Sequence, residues 1–332
     1  MAGSKLILVV ASNDGGRLAP VVFEAVAAAR ELTGGASGKV AVVITGPPGT
    51  KALAEELWPV GVAEVYVAEH ALLAEPRPEP HSLAVAAAVK QAAPSLVLVG
   101  QTLLGRDLAP YLAARLDTGV IMNATELRHD SSGATEVVCP IHGGSVQAVY
   151  QVSEAPPTVV GFQPAVRSTH KRVSQSPGKV ISVDPGLKEF KDKVKLVQRS
   201  TRSGPRLDEA KVVVSGGRGL GAPENYKYIN ELAEVLGGLP GASRAIVDLG
   251  WATRAQQVGL TGTRVSPDLY VAIGISGASQ HMAGCSTSKV LVAVNTDTRA
   301  PIFKYARYGV TLKSLEFLPA FIEECRKIKS GS

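Results

Sequence analysis

No apolar run in this sequence is long enough to cross a membrane. The longest are strand-sized and are broken by Gly, Pro or charge. Direct membrane insertion is therefore excluded as an expectation. The opening stretch, MAGSKLILVVASNDGG, holds a short apolar run from Leu6 to Val10 and then turns polar. It reads as a first strand. It lacks the longer apolar stretch of a signal peptide and the Arg- and Ser-rich character of a transit peptide. Cysteine is scarce: Cys139, Cys285 and Cys325 stand far apart with no CxxC or other metal-ligand spacing. This fits a reducing compartment and points to no metal site. The histidines are scattered singly. There is no Ser/His/Asp arrangement in strong context, no paired carboxylates of glycosidase type and no setting for a cysteine nucleophile. The chain thus reads as a holder of a cofactor rather than as an acid/base enzyme.

Hydrophobic residues make up 45% and charged residues 19% of 332, which is a globular balance with room for two domains. The net charge is +6, and it is local. Residues 167–206 hold eleven Lys or Arg against three acids, so the remaining chain is slightly acidic. A basic connector of this kind is a solvated face or a docking surface. No nucleic-acid motif accompanies it, and no nucleic-acid partner is expected.

Apolar runs of strand length alternate with segments of helical period from the start. Residues 5–10, 39–44, 62–67 and 96–99 read as strands. Residues 18–32, 50–57, 82–93 and 107–116 read as helices, Thr50 capping the second and Pro59 ending it. Such alternation predicts a parallel sheet with helices on its faces. EVVC, SVQAVYQV and TVVGF, between 136 and 163, read as late strands, and Val194 to Val197 as another strand-like piece. The α/β pattern restarts after Gly204-Pro205. Residues 211–214, 245–249, 269–275 and 289–294 are expected strands there, with helices at 225–236 and from Leu315 to Cys325. The expectation is an α/β fold of two domains, each a mainly parallel sheet flanked by helices. The first spans 1–204 and includes the basic connector, and the second spans 205–332.

GPPGTK at 46–51 superficially resembles a phosphate loop but lacks the GxxxxGK[ST] spacing, and reads as a turn. SGGRGLG at 215–221 lies between a strand and a helix and meets a degenerate GxGxx[GA]. About 20 residues on, where an NAD site places an acid, the chain reads LPGAS. Arg218 is either a solvated turn residue or a cation facing a crevice, and Arg244 has the same two readings. His281 is either a core histidine or a site residue. The stretch 269–303 brings two strands to an end in Ser276-Gly277 and Asn295, as an open sheet does where it makes a ligand crevice.

Taken in order and spacing, SGGRG, ENY (224–226), GASRAIVD (241–248), QVGLTG (257–262), LYVAIGISGASQH (269–281), KVLVAVN (289–295) and APIF (300–303) resemble the alpha (large) subunit of the electron-transferring flavoproteins. The match is tight over about 206–325 and looser before it, where GRDLAPYLAARL is the clearest stretch. Four residues depart from the family pattern. Leu260 occupies the place of a Gln, Lys313 that of an Asp, and Cys285 that of a Met. Arg307 likewise stands in ARYG, where the family reads ADYG.

The resemblance implies a Rossmann-like C-terminal domain that binds FAD, and a heterodimer with a beta subunit. Carried over by position, the cofactor contacts are Arg218, Ser243, Arg244, Gln257, Val258, Gly259, Leu260, Thr261, Ser276, Gly277, Ala278, Ser279, Gln280, His281, Asn295, Lys313 and Ser314. Arg244, Thr261 and His281 would tune the flavin, by a cation against the ring, a hydroxyl near N5 and a contact at the C2 carbonyl. A fixed cation there favours the reduced, negatively charged forms of the cofactor. The implied function is electron transfer rather than the transformation of a substrate by this chain alone. Electrons would pass from flavin dehydrogenases, such as acyl-CoA dehydrogenases of fatty acid β-oxidation, to a membrane quinone oxidoreductase. Two alternatives are an electron-bifurcating, NADH-oxidising relative and a nucleotide-binding regulatory protein without redox activity. The implied location is the cytoplasm of a prokaryote, or the mitochondrial matrix for a mature eukaryotic form.

Overall fold

A computed structural model describes residues 6–14, 16–34, 40–142, 146–152, 157–163, 176–194, 196–198 and 204–330. The chain divides into two compact units, Met1–Leu196 and Val197–Ser332. The boundary expected from the sequence follows residues 199–203, which lie outside the described residues, as do all the Lys and Arg positions between 167 and 175 and at 195–202.

In the first unit the strands are β1 (Ile7–Ala11), the hairpin β2 (Asn13–Asp14) and β3 (Arg17–Leu18), β4 (Val40–Gly46), β5 (Glu64–Glu69), β6 (Leu96–Gly100), β7 (Val120–Ala124), β8 (Glu126–His129), β9 (Thr135–Ile141), β10 (Val146–Gln151), β11 (Thr158–Phe162) and β12 (Lys179–Ser182). Its helices are α1 (Pro20–Leu32), α2 (Pro78–Ala92) and α3 (Leu103–Arg115). Seven strands form one all-parallel sheet in the order β12-β5-β4-β1-β6-β11-β7. Every residue of β1, β4, β6 and β11 is buried, because both faces of the sheet are covered. One face packs on α1 and the other on α2 and α3. Of the late strands, β7, β11 and β12 join this sheet, whereas β8, β9 and β10 make a separate antiparallel one.

Three local expectations in this unit are corrected. Residues 50–60 form a 3₁₀ helix that includes Pro59, not an α-helix ending before it. Its cap is Gly49 at φ +97°, and the Thr50 hydroxyl instead donates to the Pro47 carbonyl at 2.7 Å. Among the described residues of 194–197 there is no strand, and residue 195 is not described. The GPPGTK turn already holds an anion of its own. The backbone amides of Gly49 and Lys51 both donate to one carboxylate oxygen of Glu69, at 3.0 and 2.8 Å.

The second unit contains β13 (Val212–Gly216), α4 (Tyr226–Leu236), β14 (Leu239–Ala242), α5 (Arg244–Asp248), β15 (Leu269–Ile273), α6 (Ser279–Met282), β16 (Val290–Val294), β17 (Tyr308–Val310) and α7 (Ser314–Ser330). Five parallel strands lie in the order β14-β13-β15-β16-β17. Residue alternation sorts the core. Val214, Val271, Ile273 and Val294 face α4 and α7. Val213, Tyr270, Ala272 and Ala293 face the loops that follow β14, β15 and β16. The expected strand at Ala245–Leu249 is wrong. That segment is α5, with Ile246 as its buried residue, and the strand is Leu239–Ala242. Pro240 and Gly241 hid it. An edge strand tolerates Pro because it has a row of backbone groups with no neighbour, and β14 is an edge strand.

Gly105 offers a test of the packing in the first unit. An added Cβ would run into the Gly100 carbonyl oxygen at the end of β6. Helix propensity alone makes Ala better than Gly by roughly 1 kcal/mol. Gly105→Ala is expected to destabilise by about 2 kcal/mol or more, read as a lower midpoint in chemical denaturation. A gain in stability would mean that α3 does not sit this close to β6.

Candidate functional site

Strand order creates the site. Neighbouring strands β13 and β15 are joined to connections that leave in opposite directions, to β14 and to β16. Beyond their carboxyl ends lies the topological switch point, where open parallel sheets bind ligands. The crevice is thus centred on β13 and β15, one strand over from the β15/β16 pair that the sequence suggested.

Backbone contact defines its floor. Gly217 N–H donates to the Ile273 carbonyl at 2.9 Å, and Gly219 N–H to the Gly274 carbonyl at 3.0 Å. A Cβ on Gly217 or Gly219 would strike Gly274. These glycines therefore let two loops of the chain touch. Arg218, between them, is exposed. Gly274 and Gly277 have φ of +63° and +81°, a region open to Gly. A Cβ on Gly277 would also meet the Ile302 backbone, whose N–H donates to the Ser276 carbonyl at 3.1 Å.

Other loops are tied to the same edge. Ser243 N–H donates to the Gly216 carbonyl at 2.9 Å, and Val258 N–H to Ala242 at 2.9 Å. Leu260 N–H donates to the Gln280 carbonyl at 2.7 Å, which binds the 257–262 loop to α6. Gln257 is buried, and its amide donates to the Thr261 hydroxyl at 3.0 Å, fixing that side chain. Asn295 spends its side chain internally: Nδ2 donates to the Ile275 carbonyl at 2.9 Å and Oδ1 accepts from Asp297 N–H at 3.0 Å. Ser314 is buried and donates to the Gly219 carbonyl at 3.0 Å. Backbone and side-chain bonds thus gather Ser243, the 257–261 loop, the 276–281 loop, Asn295 and Ser314 at one edge. Ser276, Ala278, Ser279 and Gln280 are exposed there. The long cations are held less tightly. Arg244 is exposed and pairs with Asp248 at 3.2 Å, and Lys313 is exposed with Glu316 at 3.7 Å.

His281 is the buried polar centre, 8% exposed. Its Nε2 lies 2.9 Å from the hydroxyl of Tyr270, which is fully buried. Nδ1 is buried and has no partner of good hydrogen-bond geometry. The Val258 carbonyl lies near the ring and slightly favours its charged form, but burial dominates and lowers the pKa to about 4. Burial likewise raises the neighbouring Cys285 thiol to about 12, so that group is inert. Sequence reasoning missed Tyr270, Ser215 and Cys285 as the surroundings of His281. Tyr270 was read only as one member of an apolar strand; its alternation with Val271 was the available signal that it faces away from α4.

The matched families agree with this geometry. Residues 7–188 match the electron transfer flavoprotein domain, and residues 206–286 match the electron transfer flavoprotein FAD-binding domain. The chain belongs to the electron transfer flavoprotein alpha-subunit family. It is 38% identical to electron transfer flavoprotein subunit alpha of Thermoanaerobacterium thermosaccharolyticum, over 98% of this chain and 99% of that one. It is 37% identical to Protein FixB of Rhizobium meliloti, over 93% and 89%. It is 39% identical to the probable electron transfer flavoprotein subunit alpha, mitochondrial, of Caenorhabditis elegans, over 94% and 91%. Family membership makes FAD the cofactor and implies a beta subunit as partner. The residues present fit FAD: an exposed guanidinium for an anion, exposed hydroxyl and amide groups, and the orphaned buried Nδ1 of His281. Asn295, Lys313 and Ser314 fall beyond the matched FAD-binding segment.

The histidine predicts a pH effect. Its folded pKa of about 4 lies below the ordinary 6.5. Both states are neutral above pH 6.5, and as pH falls the unfolded chain takes up a proton that the folded chain refuses. Stability is therefore lost on going from pH 7 to 4, by about 3 kcal/mol at the limit. Denaturation of the wild type and of His281→Gln across this range checks the sign. The wild type should lose stability relative to the variant as pH falls, and a constant difference would show that His281 is not buried neutral.

Proposed function

We propose that the second unit, from about residue 205, carries FAD through the contacts expected from the sequence, and that the chain works as a heterodimer with its beta subunit. It would take electrons from flavin dehydrogenases, such as acyl-CoA dehydrogenases, and deliver them to a membrane quinone oxidoreductase. The observation that carries this reading is the gathering of the 257–261 and 276–281 loops at the β13/β15 switch point, where the Arg218 loop packs on Gly274. FAD supplies the one- and two-electron chemistry when bound. The chain supplies position and field. Arg218 would meet the pyrophosphate charge as an exposed cation beside the Gly-rich turn. Gln257 would hold the Thr261 hydroxyl toward flavin N5. Arg244 would offer positive charge to the ring, and His281 a neutral ring nitrogen to the C2 carbonyl.

Lys313 and Ser314 have different prospects in this reading. The Ser314 hydroxyl is engaged with Gly219, so its contribution would be to hold the 217–221 turn in place. Lys313 is free enough to reach the adenosine end by a swing away from Glu316. For location, the reading is a soluble compartment, the cytoplasm of a prokaryote or the matrix for a mature eukaryotic form. In support, among the described residues no helix is long and apolar enough to cross a membrane.

Co-expression with the beta subunit, flavin extraction and redox titration test the proposal. A yellow heterodimer that yields FAD is expected, and a colourless one that cannot be reconstituted with FAD would overturn it. Arg244→Ala should lower the midpoint potential of the bound FAD. The side chain is 68% exposed and already paired with Asp248, so solvent screening limits the shift to tens of millivolts. An unchanged titration would remove Arg244 from the ring.

A further inference from the structure

We propose that Tyr270 is a positioning residue that holds His281 as its neutral Nδ1–H tautomer, so that the ring keeps one N–H donor unspent within the chain. The inference rests on three observations. The Tyr270 hydroxyl and His281 Nε2 are 2.9 Å apart in a region where both side chains are buried. The Ser215 hydroxyl, also buried, lies beside the phenol and has no partner of good hydrogen-bond geometry. His281 Nδ1 is left without a partner of good geometry, with the Val258 carbonyl near the ring.

A neutral imidazole has one N–H and one bare nitrogen, and the bond made by one nitrogen decides the state of the other. If Nε2 carried the hydrogen, it would donate to the phenol oxygen. The phenol hydrogen would then turn to the Ser215 hydroxyl or the Cys285 sulfur, both weaker acceptors than an imidazole nitrogen, and Nδ1 would bring a lone pair into a region that holds a carbonyl oxygen. The opposite order removes that repulsion. Ser215 donates to the phenol oxygen, Tyr270 donates to Nε2, and Nδ1–H faces the Val258 carbonyl without a bond of good geometry, so that it stays available to a ligand. A phenol is also a better donor than a neutral imidazole N–H, and an imidazole nitrogen a better acceptor than a phenol oxygen. The strand and the short helix make this order durable. Tyr270 lies in β15, paired on both sides, and His281 lies in the first turn after the β15 loop, anchored by Leu260 N–H to the Gln280 carbonyl.

The consequence for the cofactor rests on the reading that His281 lies against the flavin C2 carbonyl. There the ring would act as a neutral hydrogen-bond donor, and Arg244 would be the source of positive charge. The buried pair would thus separate two functions, a fixed dipole and a mobile charge.

Nitrogen NMR of the heterodimer with ¹⁵N-labelled histidine tests the tautomer directly, the His281 signals being those lost in His281→Gln. The expected spectrum has a protonated Nδ1 and a bare, hydrogen-bonded Nε2 at neutral pH. Tyr270→Phe should shift the tautomer ratio toward Nε2–H by roughly fivefold, and Ser215→Ala should move it in the same direction by less. A wild-type ring protonated at Nε2, or one charged at neutral pH, would overturn the proposal even if neither variant assembles. So would a Tyr270→Phe ring with an unchanged tautomer ratio. Removal of FAD separates the two claims. A change in the Nδ1 shift supports both. An unchanged Nδ1 shift with the Nδ1–H tautomer intact supports the role of Tyr270 and overturns the flavin contact of His281.

Discussion

At the switch point of the second sheet, two backbones meet with no side chain between them. Gly217 and Gly219 lie against Gly274 so closely that a Cβ on either would collide with it. This contact joins the loop after β13 to the loop after β15. The other site loops hang from these two. The Ser314 hydroxyl reaches the Gly219 carbonyl, Ser243 bonds to Gly216, and Asn295 bonds to Ile275 just past Gly274. The glycines of SGGRG thus serve the chain's own packing first. A ligand would meet the rim they create.

Charge and burial are divided around this rim in a consistent way. The cations Arg218, Arg244 and Lys313 are exposed and are held weakly or not at all. The groups that are held firmly are neutral: Gln257, Ser314, Tyr270 and His281. Desolvation explains the division, since a buried neutral donor keeps its geometry at small cost and a buried cation without a partner does not. A site that must stay intact while its cofactor changes charge is well served by fixed dipoles beneath mobile charges.

Several features were legible in the residues because they are local. Continuous apolar runs such as LVLVG and LYVAI announce strands covered on both faces, and their alternation with helical periods announces a parallel sheet. Gly277 announces a turn because its backbone angle needs glycine, whereas Gly274, also at positive φ, lies inside the run 269–275 that reads as a strand, and β15 ends one residue before it, at Ile273. Leu239–Ala242 was not legible, because its Pro and Gly argue against a strand unless its edge position is known. AIVDL reads as a strand because the three apolar residues Ala245–Val247 suit a buried strand as well as one turn of helix.

The sequence by itself determined the α/β character, the restart of the pattern in a second domain, the family resemblance and hence FAD, because these depend on order and spacing along the chain. Only the tertiary structure decided that β13 neighbours β15, which moved the crevice by one strand. It alone also decided that Glu69 fills the GPPGTK turn, that Asn295 and Ser314 spend their polar atoms on loops, and that Tyr270 lies against His281. Each of these is a meeting of residues distant along the chain. Whether a polar atom is spent or available depends on which partner the fold carries to it, and composition and local period carry no record of that.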